Sequence, residues 1–240
     1  MKSLEISNLC FSYGNETESP VFQNSNISVE DSRIIGLVGI NGCGKSTLLK
    51  LIKGDLTAQE GNISVCELPV TKLPNVSFIT QQAIDNIFPK LTVFENYILF
   101  HNRNKSSFLL FDNKNNRQLC KEAIKAAGMG LENRLDEQVR FLSGGQQQAL
   151  GIMLACDVTS PILLMDEPTA SLDVFVAEKV LKIAIDEIRK KKGLLIFTSH
   201  NLHDIIRYTE HIIVIQKGGN ILNMPNENID INNLRNLMQS

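Results

Sequence analysis

Apolar residues along the chain fall into short blocks, and the spacing inside each block separates strands from helices. Apolar-rich runs of strand length stand at 34–38 (Ile-Ile-Gly-Leu-Val), 76–80 (Val-Ser-Phe-Ile-Thr), 162–166 (Ile-Leu-Leu-Met-Asp) and 194–198 (Leu-Leu-Ile-Phe-Thr). Helical spacing follows them at 46–53, 174–190 and 202–208. This alternation predicts a mainly parallel, helix-covered sheet. On 174–190 the residues Val174, Ala177, Leu181, Ala184 and Ile188 share one face, which is expected to pack on that sheet. Residues 4–11 and 27–29 predict antiparallel-type strands ahead of the core. The runs 212–215 and 220–222, joined through Gly218 and Gly219, predict a closing hairpin.

Between about residues 82 and 155 the pattern turns helical, with segments at 92–100, 117–127 and 144–155. They are expected to form an insert in the core. The polar stretch Asp112-Asn-Lys-Asn-Asn-Arg117 predicts an exposed loop, and the polar tail after Leu222 a surface-packed terminal helix.

Composition narrows the class. A chain of 240 residues with 43% hydrophobic content supports a sizeable globular core. Net charge −2 without a basic face argues against nucleic acid as a partner. Arg189-Lys-Lys-Lys192 reads as a solvated helix end, where the dipole favours cations. No apolar run reaches the roughly 20 residues of a membrane-spanning helix, and Met1 to Asn8 lacks the apolar region of a secretory leader. A cytosolic protein is expected. Five cysteines without C-x-x-C spacing suggest neither a disulfide framework nor a zinc site.

Candidate chemistry begins at Gly39-Ile-Asn-Gly-Cys-Gly-Lys-Ser-Thr47, a G-x-x-x-x-G-K-[ST] loop between a strand and a helix. Its glycines let successive backbone N–H groups converge on phosphate oxygens, and the helix N-terminus adds a favourable dipole. Lys45 would reach the β- and γ-phosphates and Ser46 would ligate Mg²⁺. At 162–167 a second strand ends in Asp166 and Glu167. Asp166 is placed to hold Mg²⁺ and Glu167 to polarise the attacking water. Ser143, Gly144 and Gly145 precede an apolar-periodic stretch and read as the cap and first turn of a helix, a second anion site. With one phosphate cradle already at the P-loop, this one is expected to face a different ATP. Cys43, at a helix N-terminus, is expected to have a lowered pKa, so that alkylation there blocks hydrolysis and bound ATP protects it.

Taken together, these motifs resemble the nucleotide-binding subunit of an ATP-binding cassette (ABC) transporter, over about residues 4–222. Leu142-Ser-Gly-Gly-Gln146 is similar to the family's signature, its most specific element. Asp166-Glu-Pro-Thr-Ala-Ser-Leu-Asp173 resembles the second acidic motif and D-loop, Phe11-Ser-Tyr13 the aromatic A-loop, Phe78-Ile-Thr-Gln81 the Q-loop and Ser199-His200 the switch histidine. All stand in family order. The resemblance implies an α/β fold: a P-loop NTPase core with a mainly parallel sheet, an N-terminal antiparallel β subdomain and an inserted helical subdomain. The whole chain, 1–240, would be a single ATP-binding domain, with core at about 1–81 and 156–222, helical subdomain at about 82–155 and tail at 223–240.

The resemblance also assigns roles. ATP would lie against Tyr13, Asn41, Gly42, Cys43, Gly44, Lys45, Ser46 and Thr47 of one copy. Ser143, Gly144, Gly145, Gln146 and Asp173 would serve the nucleotide across a head-to-tail homodimer or a paired cassette. Glu167, His200, Gln81 and Lys45 would act in hydrolysis, with Ser46, Gln81 and Asp166 around Mg²⁺. Gln81 is preferred over its neighbour Gln82 because the phase of 76–80 matches the family strand. Closure of the dimer would drive an integral membrane permease from the inner face of the membrane. Ile84, Ile87, Phe88 and Leu91 either line the groove for that permease's cytoplasmic helix or are buried in the helical subdomain.

Two departures stand out. Gln147-Gln148-Ala149 lacks the arginine that often follows the signature, and Ala83 replaces a frequent proline after the Q-loop. Short stretches at 131–136 and 142–150 look similar to an importer branch for amino-acid-like solutes with an extracytoplasmic receptor, while an exporter subunit would keep every motif. The alternatives are a soluble ABC-type ATPase acting on ribosomes or DNA, disfavoured by the single P-loop and absent heptads, and a silent regulatory subunit, disfavoured by intact Lys45, Asp166, Glu167 and His200.

Overall fold

A computed structural model of the protein describes residues 2–14, 20–73, 76–80, 87–101, 112–157, 160–170 and 172–239. The N-terminal strands β1 (Lys2–Phe11) and β2 (Phe22–Glu30) pair antiparallel. With β4 (Glu60–Val65) and β5 (Leu68–Pro69) they form a sheet ordered β2-β1-β4-β5. The second sheet takes its strands from β3 (Ile34–Gly39), β6 (Val76–Ile79), β7 (Ile162–Met165), β8 (Leu194–Thr198), β9 (His211–Ile215) and β10 (Ile221–Pro225). Their order is β10-β9-β3-β8-β7-β6, and every pairing but that of β9 with β10 is parallel.

The two-residue period of a strand explains why the central strands read as apolar runs. Ile35 and Leu37 of β3, Ile162 and Leu164 of β7, and Leu194 and Ile196 of β8 enter one core with α1 (Lys45–Lys53) and the antiparallel sheet. Their alternates, Ile34, Val38, Leu163, Met165, Leu195 and Phe197, enter a second core. That core is covered by α4 (Gly144–Asp157), α5 (Val174–Lys190), α6 (Leu202–Tyr208) and α7 (Ile231–Gln239). At Gly36 a Cβ would sit 2.9 Å from Ile205 and Thr209, so glycine lets α6 lie directly on β3. A third core gathers α2 (Val93–His101), α3 (Lys114–Lys125) and the other face of α4 around Phe94, Tyr97, Ile124, Leu150 and Leu154.

Two expectations need correction, and two strands are additions to the sequence reading. The loop at Asp112–Arg117 is helical from Lys114 onward, because Asn113 accepts a hydrogen bond from Asn116 N at 2.8 Å and caps α3. Val174 is not packed on the sheet: it is 76% exposed and Phe175 beside it 80%, because the first turn of α5 borders an open cleft and burial along the helix begins at Val180. Strands β4 and β5 were not foreseen. The expected α7 is present, with Leu234 buried in the second core.

Candidate functional site

Three neighbouring parallel strands, β3, β8 and β7, end side by side, and each delivers part of the site. After β3 the chain turns through Gly42 and Gly44 into α1. Gly44 adopts φ 111°, which L-residues avoid, and a Cβ there would meet Val21 at 2.8 Å. Lys45 is buried, and its Nζ donates to the carbonyls of Gly39 (3.0 Å) and Ile40 (3.3 Å). Asn41, Gly42 and Ser46 are exposed along the loop, and Thr47 is buried beneath it. Tyr13 Oη lies 3.1 Å from Thr47 Oγ1, and its ring meets Phe11 edge-on at 5.0 Å. An aromatic face is thereby anchored to the P-loop helix.

Past the end of β7, Asp166 and Glu167 are set by Thr198 at the end of β8. Thr198 Oγ1 donates to Asp166 Oδ1 at 2.9 Å and accepts from Glu167 N at 2.7 Å. Asp166 N in turn donates to Ile79 O at 2.8 Å, locking β7 to β6. Glu167 takes φ 50°, a left-handed backbone that costs a non-glycine residue about 1 kcal/mol or more. Its Oε1 pairs with His200 Nε2 at 2.8 Å. The pair opens onto a cleft of about 420 Å³ lined by Leu172, Val174, Glu178, Asp204 and Arg207. Burial in that cleft raises the Asp204 pKa, and Arg207 Nη1 meets Glu178 Oε1 at 2.8 Å. Asp173 caps α5, accepting from Phe175 N and Val176 N at 3.1 Å.

The signature residues have other partners. Ser143 Oγ accepts from Gln146 N at 3.3 Å while Gln146 Oε1 accepts from Ser143 N at 3.1 Å, a reciprocal capping box at the start of α4. Arg134 Nη1 also donates to Gln146 Oε1 (3.0 Å), and Gln146 Nε2 donates to Met129 O (3.2 Å). The Gln146 side chain is thus turned back onto its own helix end, leaving Ser143 and Gly144 exposed. At Gly145 a Cβ would come 3.6 Å from Leu172, so α4 abuts the segment that follows Glu167.

Gln81, with Gln82, Ala83 and Ile84, lies outside the described residues. Ile87 is buried in the third core, whereas Phe88 is 54% exposed. Thr198 and Gln148 are the polar groups at the site that motif reading passed over. Their sequence signal is weak: Gln148 stands where a run of glutamines meets the apolar stretch from Ala149, and Thr198 where the apolar run of β8 ends before Ser199.

The Cys43 expectation is reversed. Burial raises its pKa, outweighing the nearby Lys45 charge and the backbone hydrogen bonds that lower it. At pH about 7.5 an ordinary thiol is about one-tenth thiolate, and Cys43 is less. Iodoacetamide labelling followed by peptide mass analysis should therefore show Cys43 reacting more slowly than free cysteine, with the rate climbing above the usual thiol range. Saturating ATP should suppress it further.

Residues 22–170 match the family model described as ABC transporter. The tyrosine transport ATP-binding protein of Clostridioides difficile (strain R20291) is 30% identical over 229 residues, 92% of this chain and 91% of that protein. The energy-coupling factor transporter ATP-binding protein EcfA1 of Mesomycoplasma hyopneumoniae (strain 7448) is 34% identical over 222 residues, covering 90% and 78%. Among solved structures, the ATP-binding cassette MJ0796 in a dimeric post-hydrolysis state bound to ADP and Pi superposes with TM-score 0.77 at 23% identity, covering 94% of this chain and all of that one. That likeness concerns the fold. The chain belongs to the ABC transporter family. Within it, it is an ATP-binding, ATP-hydrolysing transporter subunit. Among the described residues no helix is long and apolar enough to cross a membrane.

Proposed function

We propose that this chain closes head-to-tail with a second copy or a paired cassette, one ATP lying between the P-loop of one subunit and Ser143, Gly144 and Gly145 of the other. The reading rests chiefly on one observation: three adjacent parallel strands end in the phosphate cradle, the Asp166–Glu167 pair and His200. Ligands of open α/β sheets bind at the carboxyl ends of the strands.

Each residue then has a task. Tyr13 offers its ring to adenine, and Lys45 exchanges the Gly39 and Ile40 carbonyls for the β- and γ-phosphates. Asn41, Gly42, Cys43, Gly44 and Thr47 supply the backbone cradle. Glu167 takes a proton from the water that attacks the γ-phosphorus as the bond to ADP breaks. His200, now on Glu167, turns to the γ-phosphate and holds that water in line. The Ser46 hydroxyl and the Asp166 carboxylate, one of whose oxygens is engaged by Thr198, are hard oxygen donors that suit Mg²⁺, with Gln81 assigned by resemblance. Held by these residues, a magnesium ion would supply positive charge against the phosphates. Asp173, at the cap of α5, and the exposed Val174 and Phe175 lie on the face that the second subunit would cover.

Domain limits follow the same reading: core at about 1–81 and 156–222, helical subdomain at about 82–155, tail at 223–240. A permease would dock from the membrane side, placing the chain at the cytoplasmic face. Phe88 and Phe141, 63% exposed, stand on turns joined by Arg140 N to Pro89 O at 2.9 Å, an apolar seat for a cytoplasmic helix. An amino-acid-like solute delivered by an extracytoplasmic receptor fits the likeness to a tyrosine transport protein.

Light scattering after size exclusion tests the assembly. A Glu167→Gln chain should run as a monomer alone and as a dimer with ATP and Mg²⁺, and Gly144→Asp in the same chain should abolish the dimer by placing a carboxylate against the phosphates. A chain that binds ATP and stays monomeric rules out closure without the permease.

A further inference from the structure

From Gln148 to Cys156, α4 is buried along its whole circumference, wedged between two cores. Ala149, Ile152 and Ala155 enter the sheet core, while Leu150, Met153 and Leu154 enter the helical one. Gln148 is the polar member of this stretch and is only 4% exposed. A buried carboxamide is costly unless hydrogen-bonded. Its Nε2 donates to the carbonyl of Pro168 at 2.7 Å. Pro168 directly follows Glu167, whose φ of 50° must be held by its surroundings.

The turn bearing Glu167 is therefore gripped from two sides. On one side Thr198 of β8 accepts from the Glu167 N–H. On the other Gln148 of α4 holds the next carbonyl. Gln148 also stands four residues after Gly144, on the same face of the helix. Gly144 is an exposed residue at the α4 N-terminus, and Gly145 beside it approaches Leu172.

We infer that Gln148 is a positioning residue for hydrolysis: it ties the helix that receives the neighbouring subunit's nucleotide to the turn that carries Glu167. The inference rests on the reading of Glu167 as the base. A movement of α4 towards a bound phosphate is transmitted to the Pro168 carbonyl and sets the carboxylate. Loss of the link leaves ATP bound but its attacking water poorly oriented.

Two substitutions in the full chain test this by steady-state hydrolysis, equilibrium ATP binding and thermal unfolding. Gln148→Leu keeps a side chain of comparable bulk in the buried position and removes the donor. It should lower kcat about tenfold, the worth of one well-placed hydrogen bond, with KM and Kd for ATP within about twofold of the parent. Gln148→Glu keeps the shape, and only its protonated form can donate to Pro168 O. Facing a carbonyl in a buried site, that carboxyl is pushed up in pKa. Its kcat, expressed relative to the parent at each pH, should rise as pH falls from about 8 to about 6. A role confined to packing predicts the same relative loss at every pH, together with a lowered unfolding midpoint, and that result overturns the inference even if Gln148→Leu fails to fold. A Gln148→Leu chain with full kcat beside an inert Glu167→Gln chain also overturns it. A Glu167→Gln chain that hydrolyses at the parental rate overturns instead the reading beneath it.

Discussion

Replacing Glu167 with glutamine lowers the rate of ATP hydrolysis about a thousandfold and leaves ATP affinity unchanged within about twofold, the range expected when a general base is removed and binding contacts are kept. Glutamine matches glutamate in shape, so the turn at φ 50° and the hydrogen bonds from Glu167 N to Thr198 and from Gln148 to the Pro168 carbonyl are preserved. The side-chain oxygen can still accept from His200 Nε2. What is lost is a group able to take a proton from water. Single-turnover release of phosphate, measured beside equilibrium nucleotide binding, separates the two effects. A variant that keeps more than about one-tenth of the parental single-turnover rate would move the base elsewhere.

The glycine loop and the buried strands that frame Glu167 are legible in the sequence itself. A phosphate cradle demands glycines at fixed spacing, and a strand buried on both faces demands an unbroken apolar run. Both constraints write themselves into the residues at 34–47 and 162–167. Strand β4 is different. Its burial pattern is exposed at Glu60, Gly61 and Asn62, so Ile63 and Val65 alone carry its apolar face and no alternation announces it. The start of α3 was hidden for a related reason: the capping asparagine, Asn113, stands in a run with Asn115 and Asn116, and the residue type alone does not say which of the three is the cap.

Other misses came from competition between effects. At Cys43 a helix-end dipole contribution of about 1 kcal/mol or less met the desolvation of a buried thiolate, which is larger. On α5 the helical period correctly placed Leu181, Ala184 and Ile188, but periodicity does not say where along a helix its packing begins, and Val174 lies in an exposed first turn. Thr198 and Gln148 could not be assigned partners from sequence because their partners sit 32 and 20 residues away, brought close only by the fold.

Lys45→Met should uncouple nucleotide binding from the stability of the fold. The ammonium is buried against two neutral acceptors, the carbonyls of Gly39 and Ile40. Methionine fills a similar volume without burying a charge, so the loss of those two hydrogen bonds is offset by relief of desolvation, and the unfolding midpoint of the free chain should barely change. With ATP present the balance is different. The cation's bonds to phosphate are charge-assisted, worth up to about 3 kcal/mol, so affinity should fall about a hundredfold. The parent gains about 2.7 kcal/mol of stability when ATP is supplied at a hundred times its Kd. The same ATP concentration should raise the midpoint of the methionine variant only slightly, because it then sits near that variant's own Kd. Thermal unfolding with and without ATP and Mg²⁺ reads both quantities in one experiment. A free chain markedly destabilised by the change would make Lys45 a structural brace of the loop, and an undiminished rise with ATP would mean that other groups of the cradle carry the binding.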